Sequence, residues 1–387
     1  MHGHNREYPG EYVHVASITQ ASNGDLLYGF VGGADEHDPA TKKTYVSRLR
    51  TGGSSWDPVE VLFDTPDKAD GNAVVWHDGQ GRVWTFFSTI QGSGWSQADL
   101  GAIWSDDSGV TWSEPVKLRT EQGWNVGTAP LRMSNGEVLL PVYDERFATS
   151  GFYVTDDGWQ SWHSYPGAPA GPEVEPLGHA FAASWPRGIQ ASTVELEPGH
   201  LLAYMRSGSG SIMVTESTDY GRTWSPSEAS EHPNPGARVA LLKLANGHLL
   251  LASNPVDGDA PERSPMTVAL SEDNGATWPW SVEVETNRDE RMQYPYLFQD
   301  SQGMIHLGYT HARRTKNMRH VVFNEAFVRA GVDIPSNPAS GRRPYEDQPI
   351  PIERVEFRDG AVHQVDTCTW SLVPDNDVAL PDEDHGA

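Results

Sequence analysis

The chain has 387 residues, and 53 Asp and Glu against 28 Lys and Arg give a formal net charge of −25, which argues against nucleic acid or an anionic membrane as partner. One cysteine, Cys368, excludes an intramolecular disulfide framework. No apolar run reaches membrane-spanning length.

The first seven residues, Met1-His2-Gly3-His4-Asn5-Arg6-Glu7, hold no apolar signal core, so the compartment stays open between cytoplasmic and secreted. From Tyr12 the chain falls into repeated units. The first opens with the strand Tyr12-Val13-His14-Val15-Ala16-Ser17-Ile18, turns at Asn23-Gly24 into Asp25-Leu26-Leu27, and closes at Thr51-Gly52-Gly53-Ser54-Ser55-Trp56. The second runs from Gly81-Arg82-Val83-Trp84 to Ser105-Asp106-Asp107-Ser108-Gly109-Val110-Thr111-Trp112. The third turns at Asn135-Gly136 and ends in a degenerate box, Thr155-Asp156-Asp157-Gly158 to Trp162. The fourth turns at Pro198-Gly199 and ends at Ser217-Thr218-Asp219-Tyr220-Gly221-Arg222-Thr223-Trp224. The fifth turns at Asn246-Gly247 and ends at Ser271-Glu272-Asp273-Asn274-Gly275-Ala276-Thr277-Trp278. The sixth turns at Gln302-Gly303 and ends in the apolar strand Arg319-His320-Val321-Val322-Phe323.

In each box the Asp accepts backbone N–H bonds inside a hairpin turn, and Gly supplies the positive φ. The Ser and Thr hydroxyls bond locally, and Trp anchors the turn between neighbouring sheets. Six such units predict an all-β, six-bladed β-propeller of four-stranded antiparallel blades over residues 10–330. Residues 331–387 form a C-terminal extension, with residues 345–372 adding a strand to the rim. The acidic, Pro-containing tail from Asp375 to Ala387 is expected to be mobile.

The boxes, their order and the unit count resemble the sialidase (neuraminidase) superfamily, in its bacterial Asp-box branch, over about residues 10–328. Propellers host many activities, so function rests on residues between the boxes. The resemblance implies a substrate carboxylate held by arginines, whose planar guanidinium matches a carboxylate bidentately. Arg206 follows Val194-Glu195-Leu196-Glu197-Pro198-Gly199 at the place of the family's second arginine. Arg263 precedes the strand into the fifth unit's box, at the place of the third. Tyr294, with Tyr296 as the register alternative, stands where the family has its tyrosine nucleophile, an exception among glycosidases.

Two positions depart from that pattern. His14 stands in place of the first arginine, and Gln190 in place of the glutamate that activates the tyrosine. Gln can hydrogen-bond a phenol but cannot take its proton. The family's acid/base Asp falls in the loop Gly32-Gly33-Ala34-Asp35-Glu36-His37-Asp38-Pro39, where Asp38 fits best and Asp35 and Glu36 are alternatives. Tyr143, Asp144 and Glu145 end an inner strand within reach of the axis, whereas His77 reads as a turn residue.

The leading expectation is an exo-acting glycoside hydrolase for an anionic terminal sugar, sialic, ulosonic or uronic. Arg206 and Arg263 hold the carboxylate, Tyr294 attacks, Asp38 is acid/base, and His14 and Gln190 adjust the ring. The alternatives are a uronate lyase, with His14 as base and Tyr294 as acid, and a non-catalytic sugar-binding propeller. The plentiful aromatics suit a sugar-binding face. No metal-ligand spacing and no cofactor motif is present, and the expected partner is an acidic glycan bound by a monomer or weak oligomer.

Overall fold

The computed structural model describes residues 12–119, 121–165, 169–170, 188–256, 263–285, 291–311, 317–331, 352–358 and 361–367. Six sheets follow one another around an axis. The first is β1 (Tyr12–Gln20), β2 (Leu26–Gly33), β3 (Lys43–Leu49) and β4 (Glu60–Phe63). The second is β5 (Ala69–His77), β6 (Val83–Ile90), β7 (Ala98–Ser105) and β8 (Val116–Arg119). The third holds β9 (Trp124–Val126), β10 (Leu131–Arg132), β11 (Val138–Asp144), β12 (Thr149–Thr155), β13 (Trp162–Tyr165) and β14 (Pro169–Ala170). The fourth is β15 (Ile189–Glu197), β16 (His200–Arg206), β17 (Gly210–Ser217) and β18 (Glu228–Asn234). The fifth is β19 (Ala240–Lys243), β20 (Leu249–Ser253), β21 (Met266–Ser271) and β22 (Trp280–Glu285). The sixth is β23 (Met292–Gln299), β24 (Ile305–His311), β25 (Asn317–Phe323), β26 (Ile352–Arg358) and β27 (Ala361–Thr367).

Two blades depart from four antiparallel strands. In the third, β9 and β10 both pair with β11, so the inner strand is split into two pieces. In the sixth, β26 pairs with β25 in parallel and β27 then pairs with β26. A short helix, α1 (Glu325–Ala330), leads out of β25, capped by Asn324 at its start and by left-handed Gly331 at its end. Among the described residues no helix is long and apolar enough to cross a membrane.

The boxes are hairpin turns between the third and fourth strands of a blade. Asp219 accepts from the backbone N–H of Arg222 and Thr223 and from the Thr223 hydroxyl, while Ser217 caps Gly221. Asp107, Asp157 and Asp273 repeat the pattern. The first unit lacks its own box Asp, and Asp25 of the adjacent turn substitutes, accepting from Thr51 N at 2.8 Å and from Arg48 at 2.9 Å. The Trp residues wedge against the preceding blade: Trp224 stacks on Phe152 at 3.8 Å between centroids. These bonds hold the Asp107 carboxyl down at about 2. A carboxyl depressed below its unfolded value of about 3.9 stabilises the fold above that pH and loses the contribution as pH falls towards 2. Asp219→Ala is expected to lower stability by about 1–2 kcal/mol through the lost turn bonds. Denaturant titration reads this loss, and ligand affinity should not change.

Inner strands pack side by side around the axis, stitched by hydroxyls. Ser17 accepts from Val75 N and donates to Ala73 O, both at 3.1 Å, joining blades one and two. Ser192 bonds Leu241 N and O in the same way between blades four and five. Thr128 donates to Ala191 O between blades three and four. One core cluster runs through blades one to three and into the sixth, and includes Tyr28, Phe30, Trp84, Phe86, Trp124, Tyr153, Tyr296 and Met318. Ring closure between blades one and six uses the Tyr28 hydroxyl on Arg319 O at 2.8 Å, and Trp56 against His320.

Candidate active site

Four inner strands carry the same irregularity at the same height. Ladder pairing of β1, β5, β15 and β23 with their neighbours slips between His14 and Ser17, Gly71 and Val74, Ile189 and Ser192, and Gln293 and Tyr296. Each slip is a bulge whose extra residue has a positive φ: Val15 at 60°, Asn72 at 53°, Gln190 at 57° and Tyr294 at 56°. None is glycine, and Val15 is β-branched, so each conformation is strained and must be imposed by its surroundings. All four residues line one cavity of about 130 Å³ at the axis. Tyr12, His14, Glu36, Lys42, Trp95, Tyr143, Glu145, Ile189 and Arg206 complete its wall.

Within it, Arg206 Nη1 donates to the Tyr294 hydroxyl oxygen at 3.1 Å and to Gln190 Oε1 at 3.4 Å. The Tyr143 hydroxyl oxygen accepts from Asn72 Nδ2 at 3.0 Å and from Gln190 Nε2 at 3.4 Å. The His14 ring meets the Tyr294 ring edge-on at 4.1 Å between centroids. Burial, then the charges of Lys42, Arg263, Arg238 and Arg206, hold the His14 imidazole well below its usual range, so it is neutral. Burial also pushes the Tyr143 phenol up. Glu145 is exposed at the mouth, yet desolvation there raises its carboxyl against the pull of Arg206.

The floor is Arg238, fully buried beneath Tyr294 with its guanidinium 5.1 Å from the centre of that ring. It donates to Ala16 O at 2.9 Å, Gly127 O at 2.5 Å, Tyr294 O at 3.2 Å and Pro295 O at 3.1 and 3.3 Å. One side chain thus grips the main chain of blades one, three and six. Burial lowers its pKa to about 10, which still leaves it charged.

The sequence candidates sort unevenly. His14, Gln190, Arg206 and Tyr294 meet in the cavity. Arg263 stands beside it rather than in its wall, donating to Gln293 Oε1 at 2.7 Å and Gly236 O at 3.0 Å. Burial, then the neighbouring Arg206 charge, lowers its pKa. Tyr296 points the other way, into the core, with its hydroxyl on Val75 O. Asp38 requires a correction. Its carboxylate caps its own loop, accepting from Ala40 N at 2.9 Å and from the Thr41 hydroxyl, and it is not part of the wall. Glu36 occupies the wall instead, its carboxylate fixed by Trp95 Nε1 at 3.1 Å. His77 sits in its turn, bonded to Gly79 N and Ser22. Asp144 is spent on Arg146. On the rim, His248, Glu272 and Glu325 converge, with Arg329 bridging the two carboxylates as counter-charge.

Lys42, Arg238, Asn72 and Trp95 were missed from sequence. For two of them a signal existed. Asn72, Gln190, Arg238 and Tyr294 each lie nine residues before a turn glycine, as do Val15 and Gly127.

The model of the BNR repeat-like domain family matches residues 24–307. This chain belongs to that family, within the sialidase superfamily. The BNR repeat-like chain is 27% identical over 263 residues to a sialidase of Bacteroides fragilis (strain YCH46), covering 62% of this chain and 44% of that protein. It is 25% identical over 222 residues to the anhydrosialidase of Macrobdella decora, covering 51% of this chain and 27% of that protein. The chain therefore spans less than half the length of either relative. Its fold is similar to that of the intramolecular trans-sialidase from Ruminococcus gnavus in complex with oseltamivir carboxylate. The TM-score is 0.69 at 16% identity, over 85% of this chain and 98% of that one.

Proposed function

We propose that this protein is an exo-acting glycoside hydrolase for a terminal sugar bearing a carboxylate. The observation that carries the reading is the Tyr294 hydroxyl, held by Arg206 at 3.1 Å in a cavity that Lys42, Glu36 and Glu145 also line. Arg206, with Arg263 behind it, attracts the substrate carboxylate. The Tyr294 oxygen attacks the anomeric carbon as the bond to the leaving oxygen breaks. Glu36, rather than Asp38, gives its proton to that oxygen and later takes one from the water that frees the sugar. Neutral His14, 4.1 Å from Tyr294 between ring centres, accepts the phenol proton that Gln190 cannot take. The similarity to proteins named sialidase and anhydrosialidase, and to a trans-sialidase fold that holds oseltamivir carboxylate, supports an anionic sugar ring as substrate.

One observation favours a second reading, a uronate lyase. No carboxylate contacts Tyr294 among the described residues, while a neutral imidazole does. In β-elimination His14 removes the C5 proton, the C4–O bond breaks, and Tyr294 protonates the leaving oxygen. Mass analysis of products from sialyl- and glucuronyl-terminated oligosaccharides separates the two. The hydrolase reading expects a saturated free sugar, one water added per bond cleaved. An unsaturated uronate product overturns it in favour of the lyase. Binding without any cleavage across the panel overturns both.

A further inference from the structure

Lys42 is 1% exposed, yet it belongs to the cavity wall. Among the described residues no carboxylate oxygen lies within ion-pair distance of its ammonium. Its described hydrogen bond is a donation to the main-chain oxygen of Glu36 at 2.6 Å. The ammonium lies over the Trp95 ring at 4.2 Å and near the Tyr12 ring at 5.6 Å. Two glycines make its slot. A Cβ on Gly33 would stand 2.7 Å from the Lys42 Cα. A Cβ on Gly71 would stand 2.3 Å from the Trp95 ring and 3.2 Å from the ammonium itself. A cation this deep, with Glu36, Asp35 and Asp70 near it but none in direct contact, gains from a carboxylate that arrives from outside.

We infer that Lys42 is the third cation of the substrate-carboxylate seat, and supplies from β3's leading edge the charge that His14 does not supply from β1. The inference rests on the anionic-sugar reading above. The Lys42 charge bears on the His14 ring together with those of Arg263, Arg238 and Arg206. A seat of this kind explains why the chain keeps two glycines and a tryptophan around one lysine.

Burial lowers the Lys42 pKa to about 8, against the opposing pull of Glu36, Asp70 and Asp35. The groups facing it are Glu36 and Asp35 on the loop after β2, Asp70 on β5, and Tyr12 and His14 on β1. Burial holds Asp70 at about 6, Tyr12 well above 10, and His14 well below 6.5. Lys42 therefore titrates apart from these three between pH 7 and 9. A bound carboxylate raises its pKa, so binding near pH 8 must take up a proton.

The test is calorimetric titration of the whole protein with oseltamivir carboxylate and with D-glucuronate, at pH 8, in buffers of different ionisation enthalpy. The wild type is expected to take up a substantial fraction of one proton per ligand. Lys42→Met, which keeps the apolar stem on Trp95, is expected to lose at least about tenfold in affinity and all proton uptake. Lys42→Arg is expected to take up none, since a guanidinium stays charged. If Arg206→Met weakens binding while Lys42→Met does not, and the wild type takes up no proton, the role of Lys42 is overturned and the anionic-sugar reading stands. If the wild type binds neither ligand, or Arg206→Met leaves binding unchanged, the anionic-sugar reading falls and the Lys42 inference with it.

Discussion

Replacing Tyr294 with Phe is expected to reduce turnover of the true substrate by about a thousandfold or more, while leaving the fold and ligand affinity almost unchanged. Both the hydrolase and the lyase reading place the reacting oxygen on this residue, as nucleophile in one and as proton donor in the other. The loss should fall on kcat, because the ring that packs against His14 and covers Arg238 remains. The cost to stability is one hydrogen bond from Arg206, about 1 kcal/mol or less. Steady-state kinetics on the substrate found by product analysis, set beside a thermal melt and an oseltamivir carboxylate titration, measures all three. A Phe variant with kcat within a few-fold of wild type would remove Tyr294 from the chemistry under either mechanism.

The second large effect is expected at Arg238, and on stability rather than turnover. Arg238→Met preserves the apolar stem but leaves the carbonyls of Ala16, Gly127, Tyr294 and Pro295 without their donors in a dry interior. Losing the guanidinium is expected to cost about 3–5 kcal/mol, a large share of the about 5–15 kcal/mol that holds a typical protein folded. Arg238→Lys keeps the charge but not the fork, and one ammonium cannot reach three blades at once, so it should recover only part of the loss. Chemical denaturation reads both. A Met variant within about 1 kcal/mol of wild type would show that the blades hold their register without this side chain.

The architecture was legible because its signals are local. A turn glycine, an Asp that ties a box and a Trp that wedges it are each decided within eight residues, and all recur along the chain. Tyr294 and Gln190 were legible for a related reason: the bulge fixes their distance from the turn glycine that follows. The same register singles out Asn72 and Arg238, but an Asn or an Arg within a strand gives no hint of the partners it meets across the axis. Asp38 and Glu36 could not be told apart from sequence. The choice between them depends on whether a loop carboxylate turns back on its own N–H groups or is drawn outward by Trp95, a residue 59 positions away. Lys42 was hidden by its setting. Nothing in Thr41-Lys42-Lys43 tells that one lysine goes inward and its neighbour pairs with Asp64 on the outside.

The four strained bulges have a consequence for how such a protein changes over time. Each presents a single side chain to the same small chamber from the same kind of bulge. Because the tether is main chain, a mutation at one position replaces a reagent without moving the other three. Val15, Asn72, Gln190 and Tyr294 already span an alkyl group, two amides and a phenol on identical mounts. Single exchanges at these four positions would therefore alter the chemistry of the chamber one group at a time.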